Sequence, residues 1–442
     1  MSQSLNGFPT FKVAAFIKRL PSYNILFVDL PARRVPLVIN SSALEIVKWL
    51  DGAHTQREIL DELARRYSTS HEDLNRLCCE FIGKLVSLGV VGFKQRRRER
   101  DVCIPVLGTS EVYTPNSFIL ELTHSCPLRC MHCYLDAADG PMMDYRSAVS
   151  LVDEIVDVVG VQGIQLTGGE PLGYPYLVEL IEHLEQKHTP VSIATSGYAS
   201  DAVMAHVLSA LSGPMDLVQV SIDGFEGYHN KIRGRKDAFT RALAFIDLAI
   251  CKGVKVSVAT TLISQTEAEI ASLCESMRAR RVSVLRLGAL LQEGRATSSR
   301  LGTSWSEGSM RPLIERLKSK FDTDDFRIEA LETHDSSTID HACGAGIKMM
   351  VIDPDFNARP CPMLMCKLGN VIDEPLMAVV RKTNTLMKGV STPCEATCGQ
   401  CSNFSACRGC IAAALANRDS TSNCPWFEMQ EKRIQRLLDV VA

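Results

Sequence analysis

Three cysteines lie within one short segment of the sequence, Cys126-Pro-Leu-Arg-Cys130-Met-His-Cys133. Thiolates at this CxxxCxxC spacing can bind three irons of a [4Fe–4S] cluster, which leaves the fourth iron open to another molecule. Zinc is the alternative, but structural zinc sites usually have four protein ligands, and catalytic zinc sites have three plus a water. The spacing therefore favours an iron–sulfur cluster with one open iron.

Cysteine is also concentrated near the C-terminus. The 442 residues contain 17 cysteines, and nine of them lie between Cys343 and Cys424. The N-terminal residues lack a signal-peptide pattern, so we expect a cytoplasmic protein, in which structural disulfides are disfavoured. Dense cysteines then indicate metal or redox chemistry rather than a disulfide-stapled secreted domain.

The overall composition gives no case for a nucleic-acid or membrane partner. Hydrophobic residues make up 46% and charged residues 22% of the chain, and the net charge is -3. A nucleic-acid-binding protein would usually carry a marked basic excess. No apolar run reaches the roughly 18 residues of a membrane-spanning helix. We therefore expect a packed protein without either partner.

The elements that would position the first cysteine loop alternate between strands and helices from residue 117 onward. Repeated strand–helix units predict a parallel sheet with helices outside it, and chemistry at the carboxyl ends of the strands. The predicted fold class is α/β, with a partial (β/α)6 barrel. The predicted strands are 118–123, 163–167, 191–195, 217–222, 255–262 and 283–287. The predicted helices are 146–158, 175–187, 200–211, 238–252 and 266–279.

Short motifs at these predicted strand ends, behind the cysteine loop, resemble those of the radical S-adenosylmethionine (SAM) superfamily. The resemblance implies that the open iron binds the amino and carboxylate groups of SAM, which is cleaved reductively to methionine and a 5′-deoxyadenosyl radical. It implies contacts to the methionine amine, the ribose, a carboxylate and the adenine. The residues implied, in that order, are Gly168, Gly169 and Glu170; Ser221 and Asp223; Arg233; and His132. Ser196, at the end of the third strand, is a further cofactor-binding candidate without an assigned contact. Glu121, Tyr134, Arg286 and Arg295 are further candidates for contact with the substrate or cofactor, because they lie at predicted strand ends.

The C-terminal cysteines resemble the SPASM domain, an extension of radical enzymes that usually carries one or two auxiliary iron–sulfur clusters. The resemblance implies an outer cluster held by Cys398, Cys401, Cys407 and Cys424, and an inner cluster held by Cys343, Cys361 and Cys410. The chain departs from the family pattern, because only two residues separate Cys407 from Cys410 and an upstream cysteine is absent. The inner cluster therefore has an open iron, is completed by Cys366 or Cys394, or is a [2Fe–2S] cluster.

Residues 10–93 predict a small, winged-helix-like α+β domain, with strands at 24–30 and 34–39 and helices at 43–50, 57–67 and 71–88. The segment from Val38 to Ile59 resembles the precursor-peptide recognition element of enzymes that mature ribosomal peptide natural products. The resemblance implies that a leader peptide adds as a strand near 34–39 and packs on helix 71–88. A structural or dimerising domain is the alternative.

A basic run at 94–100 marks the start of a linker over 94–116. The remaining boundaries predicted are a radical SAM barrel at 117–290, a bridge at 291–340, the SPASM domain at 341–428 and a C-terminal helix at 429–442.

Together these features predict a radical SAM oxidoreductase that modifies a precursor peptide and takes electrons from a flavodoxin or ferredoxin. Oxidative thioether or carbon–carbon cross-linking is the leading expectation, because an auxiliary cluster can accept the electron that a product radical must lose. The alternatives are peptide epimerisation, backbone excision, and maturation of a small-molecule cofactor or a sulfatase-type protein. A non-catalytic redox or peptide-binding scaffold is a further alternative.

Overall fold

The computed structural model describes residues 7–67, 71–97, 104–305, 307–331, 343–418 and 423–439. The chain forms two compact units. The first consists of Met1–Thr114 with Val156–Gln162, and the second of Pro115–Ile155 with Gly163–Ala442. The finer predicted division of the second unit into barrel, bridge and SPASM domain stays a prediction.

The first unit contains two small sheets and three helices. Strands β1 (Phe8–Phe11) and β5 (Val91–Lys94) pair antiparallel. The four-stranded sheet has the order β4-β3-β2-β6. Its strands are β2 (Ala15–Arg19), β3 (Asn24–Leu30), β4 (Arg33–Ile39) and β6 (Val106–Gly108). The helices are α1 (Ser41–Lys48), α2 (Gln56–Tyr67) and α3 (His71–Ser87). The predicted α+β domain is therefore confirmed.

Local capping explains where two of these helices begin. The Asn40 side chain accepts a hydrogen bond from Ala43 N at 2.8 Å, so it caps α1. Thr55 and Glu58 bond reciprocally, because Thr55 N donates to Glu58 Oε2 at 2.7 Å and Glu58 N donates to Thr55 Oγ1 at 3.2 Å. This is the capping box that the sequence predicts before α2.

Two strands of the four-stranded sheet, β4 and β6, bear on the predictions from the sequence. Within the described residues β4 pairs with β3 alone, so it is an edge strand, as the sequence predicts. Strand β6 lies in the segment predicted as a linker and pairs parallel with β2. Part of that segment therefore belongs to the fold of the first unit. The other part of the predicted linker, 98–103, lies outside the described residues.

The second unit is built on a ten-stranded sheet of order β13-β12-β11-β10-β9-β8-β7-β14-β15-β16. Strands β7 to β13 are parallel to their neighbours, and β14 pairs parallel with β7. The parallel strands that follow the predicted order are β7 (Ser117–Thr123), β8 (Gly163–Gly168), β9 (Val191–Thr195), β10 (Leu217–Ser221), β11 (Lys255–Leu262) and β12 (Val284–Ala289). The remaining strands are β13 (Arg327–Ala330), β14 (Met349–Ile352), β15 (Asn357–Arg359) and β16 (Gly369–Asn370).

The helices between these strands also follow the predicted alternation. They are α4 (Tyr145–Glu154), α5 (Leu177–Gln186), α6 (Asp201–Ala210), α7 (Glu226–Arg233), α8 (Ala238–Cys251) and α9 (Glu267–Ala279). The later helices are α10 (Arg295–Ser298), α11 (Glu307–Phe321), α12 (Leu376–Met387), α13 (Glu395–Cys398), α14 (Phe404–Cys407), α15 (Ile411–Asn417) and α16 (Pro425–Asp439). Helix α7 was not predicted, because it is short and mostly polar.

Alternating side chains give the parallel sheet one apolar and one polar face. Phe118, Leu120, Val218 and Val220 are fully buried. On the other face, Arg286 Nη1 donates to Gln219 Oε1 at 2.9 Å, so polar groups of different strands meet there. The predicted α/β fold with six successive βα units is confirmed. Among the described residues, no helix is both long and apolar enough to cross a membrane.

Candidate active site

The CxxxCxxC loop follows β7 directly and is held by backbone hydrogen bonds at several points. Cys126 N donates to Ala138 O at 2.7 Å. Met131 N donates to Ile232 O at 2.9 Å, which joins the middle of the loop to α7. The loop therefore has a defined path at the carboxyl end of the first barrel strand, where the sequence places it.

Arg295 clamps the same loop from a distant part of the chain. Its Nε donates to Cys130 O and its Nη2 to Ala137 O, both at 2.9 Å, and its Nη1 lies 2.8 Å from Asp136 Oδ1. Its backbone N also donates to Cys133 O at 2.9 Å. The guanidinium of Arg295 therefore positions the cysteine loop, and its predicted contact to substrate or cofactor stays a prediction.

Gly168 and Gly169 allow β8 to end directly against the start of the cysteine loop. Gly168 has a φ of +126°, and a Cβ on it would lie 2.2 Å from Thr123 O. A Cβ on Gly169 would lie 2.2 Å from Ser125 O. Only glycine fits at these two positions, because any larger residue would overlap backbone atoms. The backbone of the predicted SAM motif is thus packed on the loop that carries the cysteines.

Glu170 is fully buried and ties the end of β8 to the end of β9. Its carboxylate accepts hydrogen bonds from the hydroxyls of Thr195 and Ser196, from Ser196 N at 2.9 Å and from Leu172 N at 3.1 Å. Burial raises the pKa of this carboxyl, and the hydrogen bonds oppose that rise. The Glu170 side chain therefore links the ends of β8 and β9 through hydrogen bonds. Its predicted contact to a methionine amine stays a prediction.

A buried charge chain reaches one of the cysteine thiols. Arg233 Nε donates to Asp223 Oδ2 at 2.7 Å, and Arg233 Nη1 lies 3.8 Å from Cys130 Sγ. Burial raises the pKa of Asp223, but the charges of Arg233, His132 and His229 outweigh burial and lower the pKa to about 2. Asp223 is therefore a carboxylate that orients Arg233 toward the sulfur. Ser221 ends β10 two residues before Asp223 and is half-buried.

His132 and His229 lie on either side of Asp223. His229 Nδ1 accepts a hydrogen bond from Asp223 N at 3.1 Å, which places the proton of the neutral ring on Nε2. His132 Nε2 lies 3.9 Å from Asp223 Oδ2. Burial lowers the pKa of both imidazoles to about 4, so both are neutral near pH 7. Within the described residues, the buried His132 Nδ1 has no hydrogen-bond partner, so it is available to a bound molecule.

A second polar cluster surrounds Glu121 on β7. This fully buried carboxylate pairs with Arg359 of β15, lies 3.0 Å from His124 Nε2, and accepts a hydrogen bond from Tyr134 OH at 3.4 Å. Burial, with Glu121 nearby, raises the pKa of Tyr134 above its usual range. Tyr134 directly follows Cys133, and Arg359 lies two residues before Cys361. The cluster thus joins both cysteine regions.

The three thiols of the loop form one group and fit the predicted cluster. Burial raises the pKa of Cys126 to about 12; a hydrogen bond from Leu128 lowers it, and Glu170, Cys130 and Cys133 raise it further. Three thiolates this close need positive charge, which iron supplies. Among the described residues no three side chains converge as ligands of a single metal ion do. Thiolates of a four-iron cluster each bind a different iron, so they need not converge on one point.

The C-terminal cysteines form two groups. Burial raises the pKa of Cys361 to about 12, and nearby Cys343 and Cys410 contribute to the rise; the predicted inner ligand set stays a prediction. Burial also raises the pKa of Cys398, and Cys424, Cys394 and Cys401 add to it.

Cys366 and Cys394 are the two predicted alternatives for a fourth ligand of the inner cluster. Cys394 lies with Cys398, Cys401 and Cys424, not with the inner three. Cys366 is buried beside Arg359. Cys407 Sγ lies 3.8 Å from Ala413 O. Cys394 therefore groups with the predicted outer set, and the fourth ligand of the inner set stays a prediction.

Sequence reasoning did not find several of these contacts. Arg286 is engaged by Glu329 at 3.1 Å and by Gln219, so its guanidinium braces the sheet. The sequence assigns no role to Thr195, His229 or Arg359, although each contacts a predicted site residue. Glu121 carried the clearest signal, since it is a charged residue inside the apolar strand Ser117–Thr123.

Comparisons with known proteins agree with this geometry. Residues 120–277 match the Radical SAM superfamily, and residues 32–91 match the family described as Coenzyme PQQ synthesis protein D (PqqD). The antilisterial bacteriocin subtilosin biosynthesis protein AlbA of Bacillus subtilis is 24% identical over 441 residues, covering 96% of this chain and 97% of AlbA. The mycofactocin maturase MftC of Mycobacterium tuberculosis is 30% identical over 310 residues, covering 66% of this chain and 77% of MftC.

A solved structure shares the fold over nearly the whole chain. It is the crystal structure of Streptococcus suis SuiB bound to the precursor peptide SuiA. The TM-score is 0.67 at 12% identity, and the match covers 94% of this chain and 97% of SuiB. The motifs at the strand ends, the sheet order and the relatives agree: the chain belongs to the radical SAM superfamily of enzymes and carries a PqqD-type domain before its radical SAM domain.

Proposed function

We propose that this enzyme modifies a ribosomally made precursor peptide by oxidative thioether or carbon–carbon cross-linking. One observation carries the proposal. The same chain combines a cysteine loop suited to a SAM-binding cluster, two further groups of cysteines, and a PqqD-type domain with an open sheet edge. Several relatives are named as biosynthesis or maturation proteins of bacteriocins or related products, which supports a peptide substrate.

Different residues at the strand ends would bind different parts of SAM, and one group would hold the cluster and the methionine moiety. A [4Fe–4S] cluster bound by Cys126, Cys130 and Cys133 would supply the electron that cleaves SAM to methionine and a 5′-deoxyadenosyl radical. The backbone at Gly168 and Gly169 would leave room for the methionine moiety beside the loop. Glu170 keeps that backbone in place.

The opposite side of the site would hold the nucleoside. Asp223 and Ser221 lie at the end of β10, in reach of the region expected for the ribose. The free Nδ1 of His132 is a neutral acceptor or donor for the adenine edge, according to its tautomer. Burial raises the pKa of the Cys130 thiol, and the positive charge of Arg233 beside it opposes that rise.

The C-terminal cysteines would remove the electron that closure of a new bond releases. Cys343, Cys361 and Cys410 are the inner set we propose, with Cys366 as the fourth ligand. Cys398, Cys401, Cys407 and Cys424 are the outer set proposed. The Glu121–Arg359 pair keeps the inner set next to the first barrel strand.

The first unit would bind the leader of the peptide. Its strand β4 is the edge strand of the sheet and pairs with β3 alone among the described strands, and an extended peptide can add to such an edge as a further strand. Apolar side chains are exposed in the same unit, with Val38 on β4 at 67% and Leu77 on α3 at 52%. An edge strand and exposed apolar side chains are the features that leader binding requires.

Mass spectrometry of an anaerobic reaction tests the proposal. The mixture contains the reconstituted full-length enzyme, SAM, a reductant and the short peptide encoded beside its gene. We expect 5′-deoxyadenosine together with a peptide that has lost two hydrogens per event, and fragmentation then locates the new bond. Omitting SAM is the control.

Other products would redirect the assignment. An unchanged mass with deuterium taken up from solvent means epimerisation, and loss of a fragment means backbone excision. If 5′-deoxyadenosine forms while the peptide stays intact and does not bind the first unit, a small-molecule or sulfatase-type substrate replaces the peptide.

A further inference from the structure

Two arginines lie directly on the exposed turn of the cysteine loop. Pro127 and Arg129, in the turn that follows Cys126, are exposed. Arg129 Nη1 donates to Cys126 O at 2.6 Å and to Leu128 O at 3.0 Å. Arg235 Nε donates to Pro127 O at 3.1 Å. Both guanidinium groups therefore sit where the cysteine loop reaches solvent.

The chain segment after α7 packs against the same turn. Arg129 N donates to Arg233 O at 3.2 Å. Gly234 has a φ of +71°, and a Cβ there would lie 2.9 Å from Arg129 O, so the two backbones touch. The exposed residues Lys231 and Lys236 flank this contact. Positive charge from two segments is thereby gathered at one place.

Four basic residues form this feature, which we call the basic rim: Arg129, Lys231, Arg235 and Lys236. Within the ranges that the structure describes, none of the four forms an ion pair. The carboxylate that follows them in sequence, Asp237, lies close to the rim, because the ring of Tyr198, its hydrogen-bond donor, lies 5.8 Å from the Arg235 guanidinium, but among the described residues it forms no ion pair with the four. It accepts a hydrogen bond from Tyr198 OH at 3.1 Å and lies 3.9 Å from Arg241 Nε.

An unneutralised basic rim is unexpected on a chain whose net charge is -3. Ion pairs would usually be available to exposed cations in a chain with 51 acidic and 48 basic residues. Clustered charge of one sign steers a partner of the opposite sign and accelerates its association. The rim also lies on the exposed turn between Cys126 and Cys130, two of the residues that would hold the cluster.

We propose that the basic rim is the docking surface for an acidic electron-carrier protein that reduces the cluster on the cysteine loop. The inference rests on the proposed function only in requiring a cluster at Cys126, Cys130 and Cys133. In each encounter one electron leaves the reduced flavin or iron–sulfur centre of the carrier and enters this cluster. The carrier is oxidised by one electron and no atom is transferred.

The test compares a protein donor with a small donor that needs no docking surface. The variant is Lys231→Glu/Lys236→Glu, because these two side chains make no contact that holds the cysteine loop. The matched control is Lys382→Glu/Lys432→Glu, which changes the net charge equally on exposed positions of α12 and α16. The donors are a reduced acidic flavodoxin and reduced methyl viologen, and the readout is the initial rate of 5′-deoxyadenosine formation.

We expect the rim variant to lose about tenfold or more of the flavodoxin-driven rate at low ionic strength. Raising the salt should slow the wild type toward the variant, because salt screens exposed charges beyond about 10 Å at 0.1 M. The viologen-driven rate and the control variant should stay at wild-type values. A flavodoxin-driven rate that the rim variant leaves unchanged, or an equal loss with viologen, overturns the docking surface.

A binding measurement separates this inference from the proposed function. Oxidised flavodoxin is titrated into the full-length enzyme, and the dissociation constant is compared between wild type, rim variant and control. Weaker flavodoxin binding by the rim variant alone supports the docking surface. A lack of SAM cleavage with viologen would overturn the proposed function, but it would not affect this conclusion about binding. If the rim variant binds flavodoxin normally but binds the precursor peptide more weakly, the surface belongs to the peptide and the inference is wrong.

Discussion

Asp223, Arg233 and Cys130 form a continuous line of polar contacts at the residue scale. Arg233 is held by a buried carboxylate and lies 3.8 Å from the sulfur. Hydrogen bonds to cluster sulfurs and nearby charge set the reduction potential of an iron–sulfur cluster. A cation beside the thiolate stabilises the reduced, more negative state. We therefore expect the Asp223–Arg233 pair to influence the reduction potential of a cluster bound at Cys130.

Replacing this cation should make the cluster on the loop harder to reduce. In Asp223→Asn/Arg233→Gln both charges are removed together, so no buried carboxylate is left unpaired. We expect the midpoint potential to fall by tens of millivolts, on the order of 59 mV for each tenfold loss in relative stability of the one-electron-reduced state. The measurement is a redox titration followed by electron paramagnetic resonance. Arg316→Gln, which breaks a surface pair with Glu267, is the control, and an unchanged potential in the double variant would refute the role.

His229 should make the folded state sensitive to acid. Burial lowers the pKa of His229 to about 4, against a usual value of 6.5. Between about pH 4 and 6.5 His229 is therefore protonated in the unfolded chain but neutral in the folded chain. The free energy of unfolding falls as the pH falls from about 6.5 to about 4. The full effect is about 3 kcal/mol at 1.36 kcal/mol for each pKa unit.

His229→Asn isolates this contribution, because the Asn oxygen can still accept the hydrogen bond from Asp223 N but does not titrate. Urea unfolding at several pH values should give a shallower loss of stability below pH 6.5 for the variant than for the wild type. Equal slopes for the two proteins would mean that His229 does not control the acid sensitivity.

At the scale of elements, strand β4 and helix α3 are the parts of the first unit that we propose to bind the leader peptide. A sheet edge supplies backbone groups, and exposed apolar side chains supply burial on binding. Because β4 pairs with β3 alone in the described chain, its outer side is open to a further strand.

Charges on this surface should weaken peptide binding. We expect Val38→Asp and Leu77→Asp each to raise the dissociation constant for the precursor peptide about tenfold, which corresponds to about 1.4 kcal/mol of lost apolar burial. Fluorescence anisotropy with the labelled peptide measures this. Ile372→Asp, on a residue that is 57% exposed in the second unit, is the matched control. If all three variants bind alike, the leader binds elsewhere.

At the scale of the whole molecule, the ion pair of Glu121 and Arg359 joins residues far apart in the sequence. The pair connects β7, the strand that carries the cysteine loop, with β15, which leads to Cys361. Both side chains are buried, at 0% and 2% exposure. A buried pair contributes little net stability, but removing one partner leaves an uncompensated charge.

Arg359→Met should therefore destabilise the protein by about 3–5 kcal/mol, because Glu121 would stay buried without its partner. Glu121→Gln/Arg359→Met should recover most of this loss. Urea unfolding of the three proteins measures the difference. Arg316→Ala, in an exposed pair, should change the stability by no more than about 1 kcal/mol. Equal stability of the single and double variants would contradict the argument.

The sequence by itself determined the six successive strands from β7 to β12, most of the helices between them, and the order of the motifs. Strand–helix alternation, capping residues and the spacing of Cys126, Cys130 and Cys133 are local properties, and a parallel sheet necessarily brings successive strand ends to one edge. Gly168 and Glu170 could therefore be placed beside the cysteine loop without a structure. Strands β1, β2 and β6 and helix α7 were missed, because short polar or irregular segments carry little periodic signal.

Only the tertiary structure decided which side chains pair. Arg295 contacts the loop across 165 residues, and Arg359 reaches Glu121 across 238 residues. A sequence can show that a buried carboxylate needs a partner, but it does not show which of many arginines lies near enough to provide it. That choice depends on the packing of distant segments, because hydrogen bonds and ion pairs act over a few ångströms and chain position says little about such distances.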